Sequence, residues 1–413
     1  MGPITVFDKS FLQSLNLDES VWFDHFFYSI ITPLFYIECL ADLESKPRNG
    51  LSPEDHLSTL AIKTPQMAGT PCHFHQTLCL NDLLGHYVSL RPHIPVANAI
   101  HVIKNGEVGT VLKEADESKA FRRWNKKQYS NLERLHAREW RAQIAGINLN
   151  EIKHGLFGSL QNADIRSLEK VDNLSNRLIL EFTKTSARFD SALEILGVPD
   201  ELKLQIKSRW KKSKKPNLCQ FSPYAAHILK VVIFFSLAVS AGHISADRAT
   251  NQVDIAYFFY APFCHIFVSS DKLHQRCAPF LLRKDQTFIW GQTLKSDLNT
   301  LDSYYKSLSD EIKNTGIYSF ARSLPKSSNG IIREIFSTHS PNLLIEPPPI
   351  PTDPAKHKTL VDTVNEWITA PTVKKLAINP SHESKAFVLE RHVSPKRGSW
   401  IQIQTKKNDD SVT

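Results

Sequence analysis

The chain has 413 residues, 41% of them hydrophobic and 22% charged, and its Lys and Arg outnumber its Asp and Glu to give a formal net charge of +8. That length exceeds one ordinary compact domain and calls for two or three parts. The composition fits a soluble globular protein with a real core and excludes a disordered chain, while the basic balance permits a polyanionic partner.

The opening MGPITVFDKS has no basic region ahead of an apolar stretch and reads as no signal peptide; Val6 also breaks the myristoylation pattern that Gly2 begins. The β-branched and aromatic run ITVF predicts a buried first strand that ends at Asp8. SFLQSLNLDESVWFDHFFYSII then carries helical patterning, and TPLFYIECLADLES starts a second helix at Pro33. The breaker-rich residues 45–55 close this unit. Beyond them Cys and His cluster at 70–90, and strand-like pieces flank a turn at KNGE. Residues 117–196 are charged with helical spacing, and KSRWKKSKKPN (207–217) reads as a basic, exposed connector. Phe221–Ser245 predicts a long buried helix, whose most apolar part, Val231–Ala241, falls short of the ~20 residues of a membrane span. A helix carrying Asp254, a turn at Pro262 and a strand HIFVSS ending at Asp271 come next, followed by a helix after DKLHQRCAPFLL. LPKSSNG and EPPPIPTDP read as linkers. The last ~60 residues form a small basic appendage whose end, TKKNDDSVT, has a disordered composition. The six cysteines show no regular disulfide framework, so a reducing, cytoplasmic setting is expected.

The chemistry centres on four acids. Asp8 and Asp271 each end a buried strand, and in an open α/β sheet ligands bind beyond the carboxyl ends of the strands. Glu38 and Asp254 stand on helices within apolar surface, where a carboxylate is costly unless it is paired or metal-bound. Four such groups repel one another until a hard divalent cation neutralises them, and an all-oxygen set suits Mg²⁺ or Mn²⁺. Such an ion activates water and stabilises an attacked phosphate.

ITVFDKSFL, PLFYIECLADLE and NQVDIAYFFYAPFCHIFVSSD together resemble the acidic motifs of the PIN-like nuclease family. The resemblance implies an α/β fold, a parallel sheet of four or five strands flanked by helices, and a metal site that cleaves RNA. Asp8, Glu38, Asp254 and Asp271 match its metal positions, with Ser10, Asn251 and Ser269 as supporting residues and Asp247 as a weaker candidate. The match covers residues 1–45 and 220–295. The expected organisation is therefore a discontinuous catalytic domain (1–48 and 218–325), a mainly helical α+β insertion (49–217), and a linker with a C-terminal appendage (326–413). A toxin or defence nuclease is one such use, with a protein inhibitor or a second copy of the chain as partner. An inactive nucleic-acid-binding scaffold and a DNA nuclease on the same fold are the alternatives.

Two other clusters carry weaker signals. Cys72, His73, His75 and Cys79 offer four zinc-type ligands at an unusual spacing, and the bland alternative is ordinary packing. Arg122, Arg123, Trp124, Lys126 and Lys127, with Arg209, Lys211 and Lys212, interleave basic and aromatic residues in the manner of a single-strand-binding surface. Their bland alternative is a solvated helix face. Each acid, taken alone, is equally a helix cap or a surface charge; Asp8 in front of KSFL is an ordinary N-cap pattern.

Overall fold

The computed structural model describes residues 2–47, 50–154, 164–348, 354–373 and 385–403. In chain order its strands are β1 (Ile4–Phe7), β2 (Tyr28–Ile31), β3 (Thr70–Pro71), β4 (Ala99–Lys104), β5 (Glu107–Leu112), β6 (Ile266–Ser269), β7 (Thr287–Trp290), β8 (Ala386–Leu389), β9 (Lys396–Arg397) and β10 (Trp400–Ile401). The fold is α/β. Its central sheet has the order β3-β2-β1-β6-β7, and every pairing in it is parallel. β1 and β6 are buried on both faces, which is why their sequences read as continuous apolar runs.

The chain runs outward from β1 to β3, then returns to lay β6 on the other side of β1. The gap between β1 and β6 is thus the point where the strand order reverses, and the register pairs Phe7 with Val268 there. Open parallel sheets form their crevice at such a point.

The helices start where local chemistry directs. Asn16 and Glu19 form a capping box ahead of Leu17–Phe26. Thr32 caps Pro33–Leu40 with Pro33 in its first turn, and Ser52 and Asp55 box Pro53–Lys63. Tyr28–Ile31 is a strand, although the run containing it was expected to be helical: four residues of an apolar run too short to show a period lie between a helix end and Pro33. Asn105 (φ 51°) and Gly106 (φ 81°) make the tight turn between β4 and β5 that KNGE predicts.

The described residues of 116–154 and 164–212 form a succession of helices, and the expected connector at 207–217 departs from its prediction. Lys207–Lys212 ends the helix Asp200–Lys212, because Trp210 is 1% exposed and donates its indole N–H to the Pro216 carbonyl at 2.9 Å. The helix Pro223–Ser240 is long and apolar enough to cross a membrane by length and composition, and 67% of it is buried within the fold. It packs on Leu168–Glu181.

The C-terminal residues do not stand apart as an appendage. β8 pairs in parallel with β5 and extends the hairpin to three strands. Trp367, on the helix Pro354–Thr369, closes a small second core with Val102, Val111 and Val388. Arg397 is 2% exposed and pairs with Asp24 at 2.9 Å, and Trp400 lies edge-on to Trp22 at 4.8 Å. The TKKNDDSVT tail lies outside the described residues. A methyl group on Gly109 would lie 2.5 Å from the Trp367 ring. Gly109→Ala is therefore expected to destabilise this second core by about 1–3 kcal/mol, read as a lower thermal midpoint with reduced Trp367 burial.

A candidate acidic site at the strand-order reversal

Asp8 follows β1 directly. It is both a strand end and an N-cap, since its Oδ1 accepts the Phe11 amide at 2.9 Å. Its Oδ2 accepts the hydroxyls of Ser10 at 2.6 Å and Ser269 at 2.8 Å. Ser269, the last residue of β6, also accepts the Asp271 amide at 2.9 Å and lies 2.7 Å from His274 Nδ1.

His274 Nε2 is 2.6 Å from the Asp254 carbonyl, an acceptor only, so that nitrogen carries a proton. With the single Ser269 proton directed to Asp8, Nδ1 must donate as well. The network is therefore satisfied by an imidazolium, 3.5 Å from Asp8 Oδ2 and almost fully buried. Burial pushes the Asp8 carboxyl up, but His274, Ser10 and the Phe11 amide outweigh it and hold the group below its ordinary value. Burial pushes His274 down, and Asp8 with the Asp254 carbonyl raises it above its ordinary value. Each charge holds the other in place.

The remaining acids sit in the same field. Burial pushes the Glu38 carboxyl up to about 7, with Asp254 and Asp8 adding repulsion against the bond it accepts from the Tyr257 hydroxyl and the pull of Lys9. Burial likewise pushes Asp254 up to about 6, with repulsion from Asp271 and Asp8 opposed by His274 and Arg248. Asp254 Oδ2 is buried and has no hydrogen-bond partner among the described residues. Asp271 lies two residues past the end of β6, one turn later than expected of a strand end. There it caps Lys272–Leu281 by accepting the Leu273 amide at 2.6 Å.

One guanidinium spans two of these acids. Arg248 Nη2 is 3.4 Å from Asp254 Oδ2 and 3.5 Å from Asp271 Oδ2, and its side chain is 59% exposed. Its Nε donates to Thr250 Oγ1 at 2.9 Å. Both carboxylate contacts are long for a charge-assisted hydrogen bond.

The electrostatics therefore bring Asp8, Glu38, Asp254 and Asp271 into one neighbourhood, with Ser10 and Ser269 as direct supports of Asp8. The donor chemistry, and an Asp254 oxygen met only by the long Arg248 contact among the described residues, fit a hard divalent cation. Among the described residues, though, no three Asp, Glu, His or Cys side chains are drawn into a ready cage. Tyr257, Arg248 and the cap bonds hold the carboxylates in the meantime.

Asn251 and Asp247 serve the adjoining loop instead. Asn251 donates to the Ser245 carbonyl at 2.9 Å, and Asp247 accepts the Ser245 hydroxyl at 3.2 Å. His274, Tyr257 and Arg248 escaped the sequence reading. The one available signal was periodicity: His274 shares the buried face of its helix with Cys277 and Leu281.

The expected zinc set does not assemble. Cys72 follows β3 and Cys79 lies within the helix His75–Leu84. Both thiols are buried; burial pushes Cys79 up to about 12 and Cys72 well above its ordinary value, and it pushes His75 down to about 4. Packed thiols of this kind resist forming the thiolate that zinc needs.

The basic stripe is largely committed to the fold. Arg122 pairs with Glu114, Lys127 with Asp55, and Arg123 forks onto Glu133 at 2.7 and 3.1 Å. Trp124 is fully buried and donates to Glu133 at 3.0 Å, so it offers no stacking platform. Arg209 clamps the Leu83 and Phe221 carbonyls and stacks on the Phe221 ring. Lys126, Lys211 and Lys212 are exposed. No protein-family model matches this chain, and no curated protein or solved structure is similar to it.

Proposed function

We propose that the chain is a PIN-like, metal-dependent endoribonuclease that hydrolyses phosphodiester bonds in the reducing cytoplasm. One observation carries the reading. At the carboxyl rim of an all-parallel sheet, where its strand order reverses, Glu38 feels the charges of Asp254 and Asp8, and Asp254 those of Asp271 and Asp8, each acid coming from a separate element. Asp8 and Asp271 also cap helices, but Glu38 and Asp254 cap none, so capping alone does not account for the convergence.

Asp8, Glu38, Asp254 and Asp271 are the residues that would hold Mg²⁺ or Mn²⁺. When bound, such an ion lowers the pKa of a water and offsets charge on the attacked phosphate. The protein groups divide the remaining work. His274 keeps Asp8 ionised through burial, and Ser10 and Ser269 fix its orientation. Glu38 and Asp254 titrate nearest neutrality, and one of them takes the proton of the attacking water. Arg248 at the mouth meets the substrate phosphate, and Lys126, Lys211 and Lys212 supply further positive charge for the RNA strand.

The test is cleavage of labelled single-stranded RNA with Mn²⁺ or Mg²⁺. Asp254→Asn is expected to lower the rate at least about a hundredfold while leaving the fold intact. Cleavage unchanged by that substitution removes the acid site from the reaction. Folded wild type that is inert on RNA but cuts DNA turns the reading to a DNA nuclease, and inertness on both leaves a binding scaffold.

A further inference from the structure

The opposite rim of the central sheet holds a second feature. Gly2, Tyr28 and Ala68 stand at the amino ends of β1, β2 and β3, and they border a cavity of about 530 Å³. Four-residue strands place it about 13 Å or more from the acid rim. Its walls include Phe26, Tyr28, Tyr318, Leu343, Phe387 and Leu389, and the volume lies within the range of small-molecule sites.

The charge on these walls is one-sided. Arg322 and Arg391 line the cavity, and no Asp or Glu does among the described residues. Arg391 uses Nη1 on the Gln66 and Gly69 carbonyls, at 3.0 and 3.3 Å, and has no carboxylate within ion-pair distance among the described residues. The acid behind this wall, Asp24, is already committed: it accepts the amides of Gln66, Met67 and Ala68 and pairs with Arg397. Arg391 is thus a partly buried cation without its own counter-ion, and burial presses its ionisation down. Such a group is stabilised by an anion.

We infer that this cavity binds a small anion carried on a flat apolar body. Arg391 takes a phosphate or carboxylate, and the aromatic walls take the ring system. A nucleoside monophosphate and an aromatic carboxylic acid share this chemistry. The assignment does not depend on the acid site.

The test uses 8-anilinonaphthalene-1-sulfonate as a fluorescent probe on the full chain. Saturable binding at one site is expected, displaced by an anion but not by uncharged 1-aminonaphthalene. Adenosine 5′-monophosphate and 1-naphthoate, run as separate competitors, distinguish the two ligand sources. Arg391→Met is expected to weaken binding about tenfold or more, and Leu343→Trp, which fills the cavity, is expected to abolish it. Arg391→Lys should bind between wild type and Arg391→Met. Thermal unfolding certifies each variant; if Arg391→Met does not fold, Leu343→Trp and Arg391→Lys decide. Asp254→Asn should bind as wild type. Absence of saturable binding, wild-type affinity in the folded Arg391 and Leu343 variants, or equal displacement by the uncharged amine would each overturn the assignment.

Discussion

Asp24→Ala is expected to remove about 3–5 kcal/mol of folding stability. Asp24 is 1% exposed, and its carboxylate collects three consecutive amides, those of Gln66, Met67 and Ala68, together with the Arg397 guanidinium. Truncation strands Arg397, itself 2% exposed, with the Ser20 and Thr64 carbonyls as its remaining partners among the described residues. It also frees the loop that leads into β3, the edge strand of the central sheet. Denaturant unfolding monitored by tryptophan fluorescence reads the change directly, because Trp22 and Trp400 both donate to Asp302 close by. Asp24→Asn keeps the shape and loses the charge, so it should fall between wild type and Asp24→Ala. An Asp24→Ala loss below about 1 kcal/mol would mean that the C-terminal segment is not held through this pair.

Without a divalent cation, the acid site is expected to contribute more stability near pH 5 than near pH 8, while the buried His75 and His227, both pushed down to about 4 by burial, act in the opposite sense. Glu38 is raised from an ordinary value of 4.5 to about 7, and Asp254 from 3.8 to about 6. A group whose folded-state pKa is raised contributes stability that is fully present below its unfolded value and lost as pH rises through its folded value. For Glu38 that window runs from 4.5 to about 7, and at about 1.4 kcal/mol per pH unit its loss sums to roughly 3 kcal/mol. His274, also raised, adds a loss in the same direction as pH climbs above its ordinary value of 6.5. Asp8 is lowered, and its contribution is lost only on acidification below the ordinary carboxylate value of 3.8. Relative to wild type, Glu38→Gln should gain stability on going from pH 5 to 8, because the amide still accepts the Tyr257 hydroxyl without carrying charge. At a hundredfold excess over its dissociation constant Mn²⁺ should stabilise wild type by about 2.7 kcal/mol, and a fixed Mn²⁺ concentration should stabilise it more at pH 8 than at pH 5. A wild-type profile that Glu38→Gln leaves unchanged would show that Glu38 is solvated rather than confined. A sloping profile indifferent to Mn²⁺ would keep the confinement and remove the metal.

Arg248 links the acid site to its proposed chemistry. Its loose contacts with Asp254 and Asp271 make it a displaceable counter-ion. Arg248→Ala is expected to lower metal-free stability by up to about 1 kcal/mol, with the loss recovered when Mn²⁺ is added. Thermal midpoints with and without the ion check both halves.

The individual acids were legible because each breaks an apolar run. Asp8 after ITVF and Asp254 to Asp271 around a buried strand stand out in any reading of hydrophobic period. The two meanings of Asp8, strand end and helix cap, proved to be one geometry, since a parallel strand must feed straight into its crossover helix. Less legible was Tyr28–Ile31, too short to show a strand period between aromatic helix residues and Pro33. The basic stripe misled for a different reason. Arg123 and Trp124 look like a nucleic-acid surface until Glu133, ten and nine residues on, folds back to satisfy both.

Local chemistry in the sequence determined the first and sixth strands, the caps that start the main helices, the KNGE turn and the four acids as a set. These follow from periodicity and from side chains acting within a few residues of themselves. The tertiary structure alone decided that β6 lies beside β1, that His274 and Ser269 lock Asp8, and that Arg397 reaches Asp24. Each joins residues far apart in the chain, up to 373 positions in the case of Asp24 and Arg397. No local pattern encodes such partners; they are selected only when the buried surfaces pack and every buried charge must find a mate.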